Sequence, residues 1–130
     1  MWKNLGVLSP LLLAACVAEP SGPFDPVADK DAWRLVAMNG QPFTAPASLR
    51  FDTTWQISGR APCNRYSAKL TAPPPAFTIA SLTATEMACP DLDAEGRFFE
   101  TLLLMTHSEA QGDTLTMTGA AGRSMVFRRL

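Results

Sequence analysis

The stretch SLRFDTTWQISG, residues 48–59, decides the fold class because its pattern is that of two short strands joined by a turn. Leu49 and Phe51 alternate with polar residues and share one face of the first strand. Trp55 and Ile57 share one face of the second strand, and the Asp-Thr-Thr between the strands supplies the turn. The pattern predicts an antiparallel hairpin whose four large apolar side chains enter the core.

Further strand patterns lie on both sides of this hairpin. Each is a short β-rich run bounded by a turn signal, such as Asn39-Gly40 or the three prolines at 73–75. The runs are residues 32–36, 63–70, 77–79, 114–118 and 124–128. Most of the chain is therefore predicted to form an antiparallel sheet.

One segment has the spacing of a helix. It begins at Pro90-Asp91 with further acids in its first turn, where carboxylates face the positive end of the helix dipole, and it is expected to end near His107-Ser108. Its predicted apolar stripe comprises Leu92, Phe99, Leu102, Leu103 and Thr106. These elements predict an α+β fold, a small antiparallel curved sheet or partly open barrel with one main α-helix packed against it.

The N-terminal residues predict export and lipid anchoring. Residues 1–15 have a weakly positive start and an apolar stretch that is too short to span a membrane, which needs about 20 residues. The stretch ends in Leu-Ala-Ala before Cys16, the pattern of a lipoprotein signal peptide whose cysteine is acylated. An ordinary signal peptide is the alternative. Residues 16–30 contain three prolines and predict an extended tether, and residues 31–130 the domain.

The predicted anchor sets the location. The domain is expected to face the periplasm in the cell envelope, held at the membrane by acyl chains on Cys16. Val17 stands where some bacteria use aspartate to retain lipoproteins at the inner membrane, so the outer membrane is favoured.

The cysteine count bears on the domain as well. The chain has three cysteines, and an odd thiol in an oxidising compartment needs an explanation. If Cys16 carries lipid, Cys63 and Cys89 are free to form a disulfide. The alternatives are a metal pair or a reactive thiol. No CxxC spacing occurs and His107 is the only histidine, so a Cys/His zinc set cannot be assembled.

Sequence motifs predict no active site, metal or cofactor. Residues 91–96 imitate the start of a calcium loop, but its twelfth position is Leu102 in place of glutamate. His107 could recruit Ser108, Ser81 or Thr85, and Glu86 could act as a general acid, but no nucleophile motif or second carboxylate supports either. The formal charge of −1 gives no basic footprint for nucleic acid. We therefore expect a monomeric protein that is not an enzyme.

The aromatic residues have two interpretations. They are core material by default, and in a curved sheet they could instead line a cavity for an acyl chain. The set is Trp33, Phe51, Trp55, Phe77, Phe98, Phe99 and Phe127.

Together these motifs resemble the META domain, or HslJ-like, family. Residues 57–66, ISGRAPCNRY, are similar to its I-S-G-x-x-G-C-N-x-Y signature, although Pro62 replaces the usual glycine. Residues 85–89, TEMAC, are similar to its T-x-M-A-C element. The residues that match the family motifs are Trp33, Gly59, Cys63, Asn64, Tyr66, Thr85, Met87 and Cys89.

The resemblance implies a function of a general kind. Members are small α+β envelope proteins, often lipoproteins, without an established catalytic activity and associated with stress and drug tolerance. Their fold is similar to that of lipoproteins that pilot secretins and bind acyl chains. The resemblance therefore implies a non-enzymatic binding or scaffolding domain whose partner is an envelope protein or a lipid, with a lipid or hydrophobic-ligand carrier as the alternative.

Overall fold

The computed structural model describes residues 32–130. The predicted signal peptide, Cys16 and the tether lie outside the described residues. The elements in chain order are β1 (Trp33–Met38), β2 (Gln41–Pro42), β3 (Ser48–Thr53), β4 (Gln56–Arg60), β5 (Arg65–Leu70), β6 (Ile79–Ala84), α1 (Leu92–Leu103), β7 (Met105–Gln111), β8 (Thr114–Gly119) and β9 (Ser124–Arg129). No helix in this part of the chain is long and apolar enough to span a membrane.

The strands form one curled antiparallel sheet in the order β6-β5-β4-β3-β1-β9-β8-β7, and β2 pairs with β1. The two ends of this order approach each other just before β6. The amide of Phe77 donates to the carbonyl of Thr106 (2.9 Å), and the amide of Ser108 donates to the carbonyl of Pro75 (2.7 Å). The sheet curls into a half-barrel, these hydrogen bonds bridge its two ends, and α1 packs against it. The predicted α+β fold is confirmed.

The core occupies the concave side of the sheet. Aromatic and aliphatic side chains from every long strand except β6, together with the inner face of α1, are buried there. The largest fully buried side chains are Trp33, Phe51, Phe77, Phe98 and Phe127. Phe98 contacts Tyr66 edge-on with ring centroids 5.5 Å apart, and this contact fastens the helix to β5.

The hairpin of residues 48–59 is confirmed, but its turn lies one to two residues later than predicted. β3 extends through Thr53, and Thr54 and Trp55 form the turn. Trp55 is consequently half exposed, whereas Ile57 is buried as expected. A register shift between Phe51 and Thr53 lengthens β3 by one residue relative to β4 and moves the turn.

The predicted end of the helix is wrong. α1 ends at Leu103, and residues that were assigned to its last turn belong to β7. Pairing with β8 explains the change, since β7 pairs with β8 from Met105 opposite Gly119 to Gln111 opposite Thr114. At Gly119 the two strands are so close that a Cβ would overlap the carbonyl oxygen of Leu104. Long-range strand pairing thus overrides the helical pattern.

The buried face of the helix also differs from the predicted stripe. Glu95, Phe98, Thr101 and Leu102 are buried, whereas Leu92 and Leu103 are exposed. Thr106 lies in β7 and is exposed too. The buried positions 95, 98 and 102 follow helical spacing once a glutamate is allowed among them. Glu95 is buried because its carboxylate accepts hydrogen bonds from the connection between β4 and β5.

Candidate functional site

Asn64 is the centre of the polar cluster formed by the family-motif residues. Its side chain is buried in the connection between β4 and β5. Its Oδ1 accepts from the amide of Met87 (2.6 Å) and the hydroxyl of Thr85 (2.9 Å), while its Nδ2 donates to the carbonyl of Met87 (3.0 Å) and to Glu95 Oε1 (2.6 Å). One side chain thus joins the β4–β5 connection, the segment before the helix, and the helix itself.

Glu95 completes this cluster from the first turns of α1. Its side chain is buried, and Oε2 accepts from the amide of Cys63 (2.6 Å) while Oε1 accepts from Asn64. Both carboxylate oxygens therefore have partners, as a buried charged group requires. Glu95 fixes the helix above the β4–β5 connection and is not placed as a metal ligand. No group of three or more His, Cys, Asp or Glu side chains suited to a metal occurs among residues 32–130.

A disulfide closes the same cluster. Cys63 and Cys89 are bonded, with Cα atoms 5.5 Å apart, and the expected pairing is confirmed. The bond ties the β4–β5 connection to the segment just before α1, so it parallels the hydrogen bonds from Asn64. The side chain of Met87 is 64% exposed, and only its backbone takes part in the cluster.

Gly59 and Tyr66 form a second contact across the sheet. The hydroxyl of Tyr66 donates to the carbonyl of Ser48 at 2.8 Å, passing over Gly59. A Cβ at Gly59 would overlap that carbonyl oxygen and lie 2.9 Å from the hydroxyl. The motif glycine is therefore required by close packing. Burial raises the pKa of Tyr66 well above its usual value, and the negative charge of Asp52 raises it further.

Trp33 is fully buried at the start of β1. The guanidinium of Arg129 lies over its ring, 4.5 Å from the centroid, a cation–π distance. Arg129 also contacts Asp113 through an ion pair of 3.5 Å. The motif tryptophan is thus a core residue at the point where the first and last strands meet.

The residues considered for nucleophilic chemistry are not brought together. His107 and Ser108 are neighbours in β7, and their side chains point to opposite faces: Ser108 is fully buried, whereas His107 is exposed and lies 3.8 Å from the carboxylate of Glu109. The hydroxyl of Thr85 is bonded to Asn64. Ser81 is exposed in β6, and Glu86 is exposed in the segment that follows β6.

A groove of about 640 Å³ lies beside the connection between β2 and β3. Its lining is mainly apolar, with two cations, Arg34 and Arg60, and two hydroxyl-bearing residues, Thr44 and Ser48. The apolar lining residues are Leu35, Val36, Pro42, Phe43, Ala45, Pro46, Ala47 and Leu130. The groove was not predicted, because the residues that form it come from four separate stretches of chain.

The family model of the META domain matches residues 26–130. The chain belongs to the META domain family. This META domain is also similar to two structures determined by NMR. The first is a protein from Burkholderia xenovorans, 22% identical, with a TM-score of 0.64 and coverage of 100% of this chain and 97% of that chain. The second is 23% identical, with a TM-score of 0.62 and coverage of 81% and 94%.

These likenesses show the fold alone. A comparison with curated proteins finds no match. The motifs in the sequence indicated the cysteines and Asn64 of this META domain but not Glu95, which was predicted to be one of the first-turn acids that face the positive end of the helix dipole. A signal was present in the spacing, because Glu95 lies three residues before Phe98 and seven before Leu102, on the same helix face.

Proposed function

We propose that this META domain is the periplasm-facing part of a lipid-anchored envelope protein, at the outer membrane, that acts by binding or scaffolding. The Cys63–Cys89 disulfide is the observation that supports this proposal most directly. Stable disulfides form in oxidising compartments such as the periplasm. The pairing also leaves Cys16 as the odd cysteine, available for acylation.

The polar cluster holds the fold together and offers no free group for catalysis, which favours a non-enzymatic role. Both polar atoms of the Asn64 side chain and both oxygens of Glu95 are bonded to neighbouring protein groups. These groups hold the helix on the sheet and are not directed at a substrate. The family resemblance adds envelope stress or drug tolerance as the setting.

The intact mass of the protein extracted from native membranes tests the anchor. Loss of residues 1–15, added acyl mass on Cys16 and a gain of two hydrogens on reduction are expected. Cys16→Ala should release the domain from membranes washed at high salt, whereas His107→Ala, a surface change, should leave its location and any stress phenotype unchanged. A native mass without acyl chains would contradict the anchor.

A hydrophobic-ligand carrier is the second candidate, and the groove beside Phe43 favours it. Its volume lies within the range of small-molecule sites, about 300–1,000 Å³. The test is native mass spectrometry of the delipidated domain with added fatty acid or phospholipid. An adduct that Ala45→Trp abolishes, and the exposed control Ala88→Trp retains, is expected. No uptake by the unaltered domain would rule out the carrier.

A further inference from the structure

Four arginines and one serine form a single row across five neighbouring strands of the sheet. Arg34 in β1 is the register partner of Arg128 in β9 on one side and of Ser48 in β3 on the other. Arg60 in β4 is the partner of Arg65 in β5. The amide of Arg60 donates to Ser48 Oγ at 3.1 Å and connects the two halves. We call these five residues the arginine row.

The arginine row lies on the outer, convex face of the sheet. All four arginines are exposed, whereas their chain neighbours Trp33, Phe127 and Tyr66 are buried on the concave side. Side chains alternate between faces along a strand, so the four guanidiniums project to the same side. With about 4.8 Å between adjacent strands, the row is about 19 Å long.

The row has no anionic partner within the described chain. None of its four guanidiniums forms an ion pair with another residue of the range 32–130. The next row on the same face contains Arg50, Ser58 and Ser67, which add a fifth cation and no carboxylate. Arginines directly opposite each other on one face destabilise a sheet, and a bound polyanion would offset this cost.

From this arrangement we infer that the arginine row docks on the phosphates of anionic phospholipid headgroups. A guanidinium binds phosphate oxygens through paired hydrogen bonds, and the two arginine pairs of the row, Arg34 with Arg128 and Arg60 with Arg65, can each contact a headgroup phosphate. The inference rests on the proposed lipid anchor, which selects a membrane over other polyanions. The described domain begins at Ala32, two residues before Arg34.

The predicted tether joins Cys16 to the strand that carries Arg34. Ala32 follows Cys16 by sixteen positions, and a chain of sixteen residues can span at most about 50 Å. Acyl chains on Cys16 would therefore keep the row within reach of the headgroups. Each arginine near an anionic surface adds to the attraction, and salt weakens it. The row would then orient the domain with its convex face toward the bilayer.

The test uses the processed chain without its lipid, residues 16–130 carrying Cys16→Ser, so that acylation contributes nothing to binding. Sedimentation with phosphatidylcholine vesicles, with and without phosphatidylglycerol, measures the association. We expect at least roughly tenfold stronger association when phosphatidylglycerol is present, lost at high salt. Arg34→Gln/Arg60→Gln should weaken the association with phosphatidylglycerol vesicles by about tenfold or more. The matched pair Arg97→Gln/Arg123→Gln, with the same charge change away from the row, should retain it.

Three outcomes would overturn the inference. They are equal binding to both vesicle types by the unaltered chain, equal losses in the two variant pairs, and binding to a DNA duplex without binding to the vesicles. The first comparison needs no variant and stays decisive even if a variant misfolds. The tested chain has no acyl group, so a failure to bind vesicles would leave the proposed anchor intact. A native mass without acyl chains would contradict the anchor and would leave the vesicle measurement unchanged.

Discussion

Asn64 Nδ2 donates to Glu95 Oε1 at 2.6 Å, although the two residues are 31 positions apart in the chain. The bond joins the β4–β5 connection to the helix, and both partners are buried. Hydrogen bonds to charged groups are stronger than neutral ones, and a donor left without an acceptor inside the protein is costly. The polar cluster is therefore expected to govern whether the helix stays on the sheet.

The first prediction concerns Glu95. Glu95→Gln places an amide group against either Asn64 Nδ2 or the Cys63 amide, which leaves one buried donor without an acceptor. The free energy of unfolding should fall by about 2 kcal/mol. Asp93 is an exposed residue of the same helix and provides the control. Asp93→Asn should change the free energy of unfolding by less than about 0.5 kcal/mol. Urea unfolding at neutral pH measures both, and equal effects would contradict a special role for Glu95.

A pair of glycines tests the close packing in the sheet. Gly59→Ala should destabilise the protein by about 2–3 kcal/mol, because the added methyl meets the carbonyl of Ser48. Tyr66→Phe in the same chain should not restore stability, since the overlap is with backbone. Gly96→Ala has open space in the helix and should stabilise by about 0.5–1 kcal/mol. Thermal unfolding compares the variants, and tolerance of Gly59→Ala would refute the packing argument.

The Cys63–Cys89 disulfide is expected to stabilise the fold by lowering the entropy of the unfolded chain. The bond spans a sequence separation of 26, and its removal should cost roughly 3.5 kcal/mol. The variant Cys63→Ala/Cys89→Ala and the reduced unaltered protein should lose similar stability, as judged by their urea midpoints. An unchanged midpoint in both would mean that the hydrogen bonds of Asn64 hold the segment without help from the covalent link.

Tyr66 provides a prediction about pH. The pKa of Tyr66 is raised in the folded protein, first by burial and second by Asp52. The unfolded chain loses the phenolic proton near pH 10 while the folded chain keeps it. The contribution of Tyr66 is therefore fully present below about pH 10, and above it stability should fall by up to about 1.4 kcal/mol per pH unit.

The measurement is simple because the chain contains one tyrosine. Phenolate absorbance should stay absent in the folded protein above pH 10 and rise only with unfolding. Tyr66→Phe should show a weaker loss of stability over the same range, which separates Tyr66 from the lysines and arginines. Phenolate that titrates near pH 10 in the folded state would contradict the burial argument.

Local pattern predicted much of the fold because alternating apolar residues favour strands wherever they pair. It identified the 48–59 hairpin, the Asn39-Gly40 turn and the two closing strands, all of which are observed. It failed at β7, whose residues continued the helical spacing. There the deciding interaction is pairing with β8, which a local pattern does not contain.

The sequence alone determined the fold class and the META motifs, since each depends on residue types and short spacings, and it predicted the pairing of Cys63 with Cys89 that the structure confirmed. The tertiary structure alone decided that Glu95 is buried, because its partners come from a distant connection. It also decided that arginines scattered from Arg34 to Arg128 form one row. Strand register creates that row, and register depends on hydrogen bonds between segments far apart in the chain.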